Sequence, residues 1–284
     1  MASAHGAARR VRSATKRSAA NPWLGFLERV GYVVRGVLYA AMGTFALGLA
    51  LGIGGIATDQ SGSLVILSGG PTGKVLLLGV VVGLGAYAAW GFVRAIYDPL
   101  HRGDDAVGIA ERLGFVWSGV AYSAMVVFAL HLLAGGSASA SHDGTQTAIA
   151  GVLGLPAGHL VTIGIGVVAI GVGLGQFVDA YRAVFKKDLK RTKMRREEKA
   201  IVDSLGRLGM ISRGVTFTLV GWFVLQGGLH DDASRVKGFG GAFLLLLSQP
   251  FGRALLGAVA VGFIALGLHS FACARWIRLL GSER

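Results

Sequence analysis

Three stretches of the sequence decide the fold. Residues 29–39 read RVGYVVRGVLY, residues 112–122 read RLGFVWSGVAY and residues 207–217 read RLGMISRGVTF. Because arginine, valine and aromatic positions recur together with the glycines, the pattern indicates an internal repeat and not a mere excess of glycine. The recurring positions are Arg29, Gly31, Gly36, Tyr39, Arg112, Gly114, Gly119, Tyr122, Arg207, Gly209, Gly214 and Phe217.

A second motif follows each of these stretches. It reads PTGK from Pro71, PAGH from Pro156 and PFGR from Pro250, and it uses three of only five prolines. Proline suits the first turn of a helix, where its missing N–H would be unpaired anyway. Counting onward from each proline without gaps brings three phenylalanines into register, which are Phe92, Phe177 and Phe271. Each repeat is therefore predicted to contain two helices joined by a loop.

The composition places these helices in a membrane. Mean hydropathy is +0.60 and only 15% of the 284 residues are charged, against about a quarter in soluble proteins. Six apolar stretches are each long enough to cross a bilayer, which takes about 20 helical residues. They are Tyr32–Ile53, Lys74–Val93, Leu113–Leu133, His159–Val178, Leu208–Leu229 and Arg253–Phe271. Backbone groups must satisfy their own hydrogen bonds in lipid, so the predicted fold is an all-α integral membrane protein.

The chain divides accordingly into a tail, three repeats and a linker. We expect a basic, disordered tail over residues 1–26, without the apolar segment of a secretory signal. The repeats are predicted over residues 27–100, 110–185 and 205–279, with a basic linker over residues 186–204. We expect the linker to prolong the fourth membrane helix.

The net charge of +13 would suggest nucleic acid in a soluble protein, but here the cations flank the apolar stretches. Most lie in the tail, in alternate loops and at the C-terminus. The opposite side holds only Lys74, Arg235, Lys237 and Arg253. The positive-inside rule predicts that both termini are cytoplasmic in a bacterial plasma membrane. All three repeats then run in the same direction, which favours a pseudo-threefold arrangement and leaves a linear array open.

These motifs resemble a bacterial membrane family known as domain of unknown function 1206. The resemblance extends from about Leu27 to Leu279, and the motifs recur three times in the same order. It implies six membrane helices and a bacterial membrane location. It implies no activity, cofactor or site residue.

Four polar residues form the candidate intramembrane site. Arg35 and Arg213 occupy the same position of two repeats, about 9 Å deeper than the first arginine of each motif at 1.5 Å per residue. The middle repeat carries Ser118 there. Asp179, near the basic end of the fourth stretch, could pair with either arginine. A membrane arginine is a functional hypothesis by default, and the alternative is a structural arginine bonded to carbonyls, phosphate or a carboxylate.

Other polar groups are interpreted as structural. His131, His269 and Gln226 are expected to form interhelical hydrogen bonds, and His142-Asp143 and His230-Asp231-Asp232 to cap loops. A metal site at these two acidic pairs is the weaker alternative, because the first repeat lacks the histidine. The glycine pairs Gly79–Gly83 and Gly171–Gly175 are expected to form helix-packing seams.

Two functions stay open. The first is a non-enzymatic scaffold, sensor or envelope-associated protein, with a protein partner or anionic lipid headgroups at the basic segment 186–199. The second is a transporter or channel for a small solute or anion, with Arg35 and Arg213 near its cytoplasmic mouth. No serine nucleophile, phosphate loop or metal motif is present, so neither a cofactor nor catalysis is expected.

Overall fold

The computed structural model describes residues 22–69, 72–97, 106–138 and 144–276. Within these residues the chain forms nine α-helices. They are α1 (Pro22–Leu51), α2 (Gln60–Ser68), α3 (Gly73–Tyr97), α4 (Ala106–Leu133), α5 (Gly144–Leu153), α6 (Gly158–Arg182), α7 (Arg196–His230), α8 (Phe239–Ser248) and α9 (Gly252–Trp276). Pro71, His142, Asp143 and residues 1–21 of the predicted tail lie outside the described residues.

Six of these helices are long and apolar enough to span a membrane, which confirms the prediction. They are α1, α3, α4, α6, α7 and α9. Between the two spanning helices of each repeat lies a short helix, namely α2, α5 or α8. The sequence reading had only loops there, because nine or ten residues are too few for a hydropathy signal of their own. We call the end that carries Arg112, Arg182 and Arg207 the basic end.

The spanning helices pack in a cyclic order. The second spanning helix of each repeat lies against the first spanning helix of the next, so that α3 packs on α4, α6 on α7 and α9 on α1. Because α9 returns to α1, the third repeat joins the first. Each repeat thus contacts both of the others, as in a pseudo-threefold arrangement, although the two spanning helices of the middle repeat, α4 and α6, are not among the packed pairs.

The repeated glycine and phenylalanine build these three interfaces. A Cβ on Gly119 would lie 3.0 Å from the Phe92 ring, and a Cβ on Gly214 would lie 3.2 Å from the Phe177 ring. Gly36 receives the Phe271 ring in the same way. The glycine on one helix therefore makes room for the phenylalanine of a neighbouring repeat. Two motifs that are far apart in sequence form one interface in this way.

The proline motif forms a corner and not a helix start. The spanning helices begin at Gly158 and Gly252, two residues after the proline, and the residue between them is left-handed, with φ of 58° at Ala157 and 61° at Phe251. A Cβ on either glycine would collide with a carbonyl oxygen of the short helix before it. Glycine is required there because two helix ends meet.

The basic linker does not prolong the fourth membrane helix, contrary to our expectation. Helix α6 ends at Arg182, and residues 184–195, which we call the strap, cross to the start of α7 in 3₁₀ turns. The Arg191 guanidinium donates to both Asp203 oxygens at 2.6 and 3.2 Å, and the Lys186 ammonium lies 2.9 Å from the same carboxylate. The Lys190 N–H also donates to the Trp276 carbonyl at 2.7 Å. The strap is thereby tied to α7 and α9.

The predicted glycine seams are only partly correct. Built Cβ atoms on Gly79, Gly171 and Gly175 have no neighbour within 4 Å. The close approach between α6 and α7 instead uses Gly166 and Gly173, whose Cβ atoms would lie 2.6 Å from backbone nitrogens of α7. In so glycine-rich a chain, spacing alone does not identify the packed face.

Candidate functional site

The guanidinium of Arg35 lies in a cage of tyrosine rings. Its Cζ atom is 5.5 Å from the ring centre of Tyr32, 5.8 Å from Tyr39, 4.9 Å from Tyr87 and 5.3 Å from Tyr122. Its Nη1 donates a 2.6 Å hydrogen bond to the Tyr87 hydroxyl. The rings come from α1, α3 and α4, so the cage exists only when the first and second repeats are packed together.

Arg213 occupies the matching position of the third repeat with far fewer partners. Its Cζ lies 5.4 Å from the Phe217 ring, which offers no hydroxyl group. Its Nε is buried without a hydrogen-bond partner, and the same holds for Nε of Arg35. Each side chain therefore presents a buried, unused N–H.

The two arginines belong to one site. Both interact electrostatically with the hydroxyl groups of Tyr39 and Tyr122. Tyr39 and Tyr122 are buried, with 6% and 8% exposure. Because Tyr39 and Tyr122 are the aromatic positions of the first two motifs, the repeat directs this set towards the centre of the ring. We call Arg35, Arg213, Tyr39, Tyr87 and Tyr122 the arginine–tyrosine cluster.

The other two predicted site residues border this cluster. Asp179 on α6 lies within electrostatic range of Arg213 and Arg182. However, none of the ion pairs within 4.0 Å that the described residues form includes Asp179. Ser118 lies one turn before Tyr122 on α4 and is half-buried. The cluster thus has two cations and no carboxylate bonded to them among the described residues.

Magnitudes separate the two arginines. A charged arginine is unfavourable by about 2.5–3.5 kcal/mol at the bilayer centre on insertion scales, and by less nearer the surface, where these two lie. Each cation–π contact contributes about 0.5–2 kcal/mol. Four rings and a charge-assisted hydrogen bond can stabilise Arg35, whereas the single ring at Arg213 offsets only part of its unfavourable burial. Arg213 is the cation that a bound anion would stabilise most.

A buried histidine and a ring of the strap pack together near the cluster. Phe185 packs edge-on against His269 with ring centres 5.0 Å apart. His269 Nδ1 lies 3.2 Å from the Val202 carbonyl, which confirms the expected interhelical hydrogen bond. His269 is also within electrostatic range of Arg35, so Phe185 packs on a histidine that lies near the cluster.

The loops opposite the basic end hold capping residues. Asp59 accepts a 2.8 Å hydrogen bond from the Gly62 N–H, and Asp232 accepts one of 2.9 Å from the Ser234 N–H. Hydrogen bonds from the side chain and the backbone of Ser234 lower the pKa of the Asp232 carboxyl group. In the described part of the chain, no three His, Cys, Asp or Glu side chains come together in a way that could hold a metal ion.

Tyr87 and Phe185 are the site residues that the sequence did not reveal. Neither belongs to a recurring motif, since the residues equivalent to Tyr87 in the other repeats are Val172 and Leu266. A residue present in one repeat alone gives no signal to a search for self-similarity.

Comparison with known proteins agrees with this geometry. A family model described as Domain of Unknown Function (DUF1206) matches the chain three times, over residues 30–98, 113–183 and 208–276. The chain belongs to this family. A relative from Bacillus subtilis (strain 168), the uncharacterised protein YxxB, is 31% identical over 249 residues, which cover 88% of this chain and 90% of the relative. No solved structure matches. The three DUF1206 matches coincide with the three helix–short helix–helix units, so one family repeat is one third of the ring.

Proposed function

We propose that this DUF1206 protein binds a small anion, or the anionic group of a larger solute, between Arg35 and Arg213. The observation that carries the proposal is a pair of arginine side chains whose buried Nε–H groups have no hydrogen-bond partner. Both lie within electrostatic range of the Tyr39 and Tyr122 hydroxyl groups, and neither is bonded to a carboxylate of the described residues. Two guanidinium groups with free donors are suited to a carboxylate or a phosphate.

This site supports solute binding and transport over a purely structural scaffold. A structural arginine in a membrane is expected to bond carbonyls or a carboxylate, whereas Nε of Arg213 is buried without a hydrogen-bond partner. We propose a non-enzymatic role, because the cluster contains hydrogen-bond donors and cations but lacks a paired base and nucleophile.

For orientation, we propose that the basic end faces the cytoplasm of a bacterial cell, by the positive-inside rule. A cysteine placed at Thr145 on α5, in a variant whose natural Cys273 is replaced by alanine, should react with an impermeant thiol reagent in intact cells. Protection of this cysteine, together with labelling of one at Lys193, would reverse the orientation.

The strap is a second, peripheral anion surface in this proposal. Lys193 and Arg195 are exposed, and exposed cations next to a membrane attract anionic lipid headgroups. Reversal of both charges to glutamate should lower the amount of phosphatidylglycerol that co-purifies with the protein. An unchanged amount would leave a protein partner as the alternative for residues 186–199.

Thermal unfolding of the purified protein in detergent tests the central site. Inorganic phosphate at constant ionic strength should stabilise the parent by about 2.7 kcal/mol at a hundred times its Kd. This stabilisation should be lost in Arg213→Gln and kept in Arg207→Gln, which removes an equal charge from an exposed position at the same end. No stabilisation of the parent, or an equal one in Arg213→Gln, would overturn the proposal.

A further inference from the structure

In the first and third repeats, the first glycine of the motif receives the second spanning helix. A Cβ on Gly31 would lie 2.8 Å from the Tyr87 Cβ, and a Cβ on Gly209 would lie 2.7 Å from the Leu266 Cβ. Tyr87 and Leu266 are equivalent, because each follows the proline of its motif by 16 residues. Helices α1 and α3, and likewise α7 and α9, are thereby packed closely.

The same position in the middle repeat is empty. A Cβ on Gly114 would have no atom of the described residues within 4 Å, and α4 and α6 are not among the packed helix pairs. Only 22% of the apolar span of α4 and 17% of that of α6 is buried, against 44% for α1 and 56% for α9. The ring is therefore open on one side, between the two spanning helices of the middle repeat.

Two side chains explain the opening. In the outer repeats a Cβ on Gly83 would lie 3.0 Å from the Val34 methyl group, and one on Gly262 would collide with Ser212. Motif counting places Trp117 at the position of Val34 and Ser212, and Val168 at the position of the two glycines. Both are 65% exposed. A tryptophan facing a valine cannot reproduce the close approach of a small residue to a glycine, so the opening is built into the sequence.

The two helices that border the opening also contribute to the arginine–tyrosine cluster or lie next to it. On α4, Trp117 is followed by Ser118 and, one turn later, by Tyr122 of the Arg35 cage. On α6, Val172, which is 39% exposed, lies two turns before Asp179, which is within electrostatic range of Arg213. Both helices that border the gap therefore also carry a residue near the two cations, Tyr122 beside Arg35 on α4 and Asp179 within electrostatic range of Arg213 on α6.

We propose that an anionic phospholipid occupies this opening, with its phosphate group at Arg35 and Arg213 and one acyl chain between α4 and α6. This inference rests on the proposed anion site and names its ligand class. A gap lined by Trp117 and Val168 at membrane depth is apolar and borders lipid, so an acyl chain fills it more favourably than water. The two cations at its inner end require a negative partner, and a phosphate headgroup supplies it in the same molecule.

The gap extends from the headgroup level on α4 into the hydrocarbon on α6, where Val168 lies near the middle of the Gly158–Arg182 span. Trp117 lies five residues beyond Arg112, which is about 7.5 Å along a helix. Tryptophan is enriched at this depth, where a bilayer changes from headgroups to hydrocarbon. The arginine positions of the motif are one residue deeper, within reach of a phosphate group that sinks slightly below its neighbours.

The experiment measures lipid retention by native mass spectrometry of the full chain in detergent. The probes are dioleoyl phosphatidylglycerol, dioleoyl phosphatidylcholine and, by thermal unfolding, inorganic phosphate. Trp117→Val with Val168→Gly copies the residues of the first repeat and should close the gap. Gly114→Leu is a second variant. Its side chain would extend into the gap from a position where a Cβ has no described neighbour within 4 Å. Trp222→Val with Val167→Gly is the matched control. It makes the same residue changes on α7 and α6 at side chains that are 50% and 55% exposed.

We expect the parent and the matched control to retain phosphatidylglycerol in preference to phosphatidylcholine. Both gap variants should bind phosphatidylglycerol about tenfold more weakly, the effect of losing two buried methylene groups at about 0.8 kcal/mol each, while keeping their response to inorganic phosphate. If the gap variants retain the lipid as the parent does, or the parent does not prefer phosphatidylglycerol, the lipid proposal is wrong although the anion site stands. If inorganic phosphate also fails to stabilise the parent, the proposed function itself is wrong.

Discussion

The outer repeats and the middle repeat share one motif but pack it differently. In the first and third, Gly31 and Gly209 are covered by the second helix of their own repeat, whereas Gly114 of the second is bare. The glycine that receives the neighbouring repeat is packed in all three. The ring is therefore assembled by contacts between repeats, and the contacts within a repeat can be given up in one of them without loss of the cyclic order.

The outer and middle repeats also differ at the polar position of the motif. The outer repeats carry Arg35 and Arg213, and the open repeat carries Ser118. Absence of a third arginine leaves the side of the cluster next to the gap uncharged. The departure from threefold symmetry in sequence and the departure in packing therefore occur in the same repeat.

The largest expected effect contrasts the two kinds of glycine. Gly209→Leu should destabilise the protein by about 3 kcal/mol or more, because its side chain would overlap Leu266 in a packed seam. Gly114→Leu should change stability by about 0.5 kcal/mol or less, as expected at a site without packing neighbours. Thermal unfolding in one detergent and lipid mixture measures both, and equal losses would mean that the middle seam closes.

A second contrast concerns the two arginines. Arg35→Gln should destabilise the protein by about 2 kcal/mol, because it loses a charge-assisted hydrogen bond and four ring contacts. Arg213→Gln should be neutral or stabilising without ligand, since it removes a buried charge with one ring partner. The measurement is thermal unfolding in phosphate-free buffer. A larger loss for Arg213→Gln would assign it a structural partner.

The smallest expected effect comes from restoring the symmetry of the motif. Ser118→Arg should destabilise the protein by less than about 1 kcal/mol, because a long cation beside the gap can extend its charged end towards the surface. It should also strengthen stabilisation by inorganic phosphate, as a third cation joins the site. A weaker response to phosphate than that of the parent would show that position 118 does not face the cluster.

Much of the architecture was readable because repetition and hydropathy are properties of the chain itself. Six apolar stretches of membrane length and the two recurring motifs predicted the spanning helices and the three parallel repeats. Arg35 and Arg213 were identified as candidates because charge is rare in such stretches. The short helices, the corner at Gly158 and Gly252 and the strap were missed, because each depends on contacts between segments.

The sequence alone determined that three equivalent units of two membrane helices exist, since helices are forced on apolar segments by the hydrogen-bonding needs of the backbone in lipid. It also contained Trp117 and Val168 at positions where the other repeats have small residues. It did not indicate that those small residues face each other in a packed interface. Only the tertiary structure decided that each repeat packs against both of the others, that Tyr87 and Tyr122 enclose Arg35, and that the two spanning helices of the middle repeat stay apart. These features depend on which faces meet, and in a chain with 46 glycines many faces are small enough to pack.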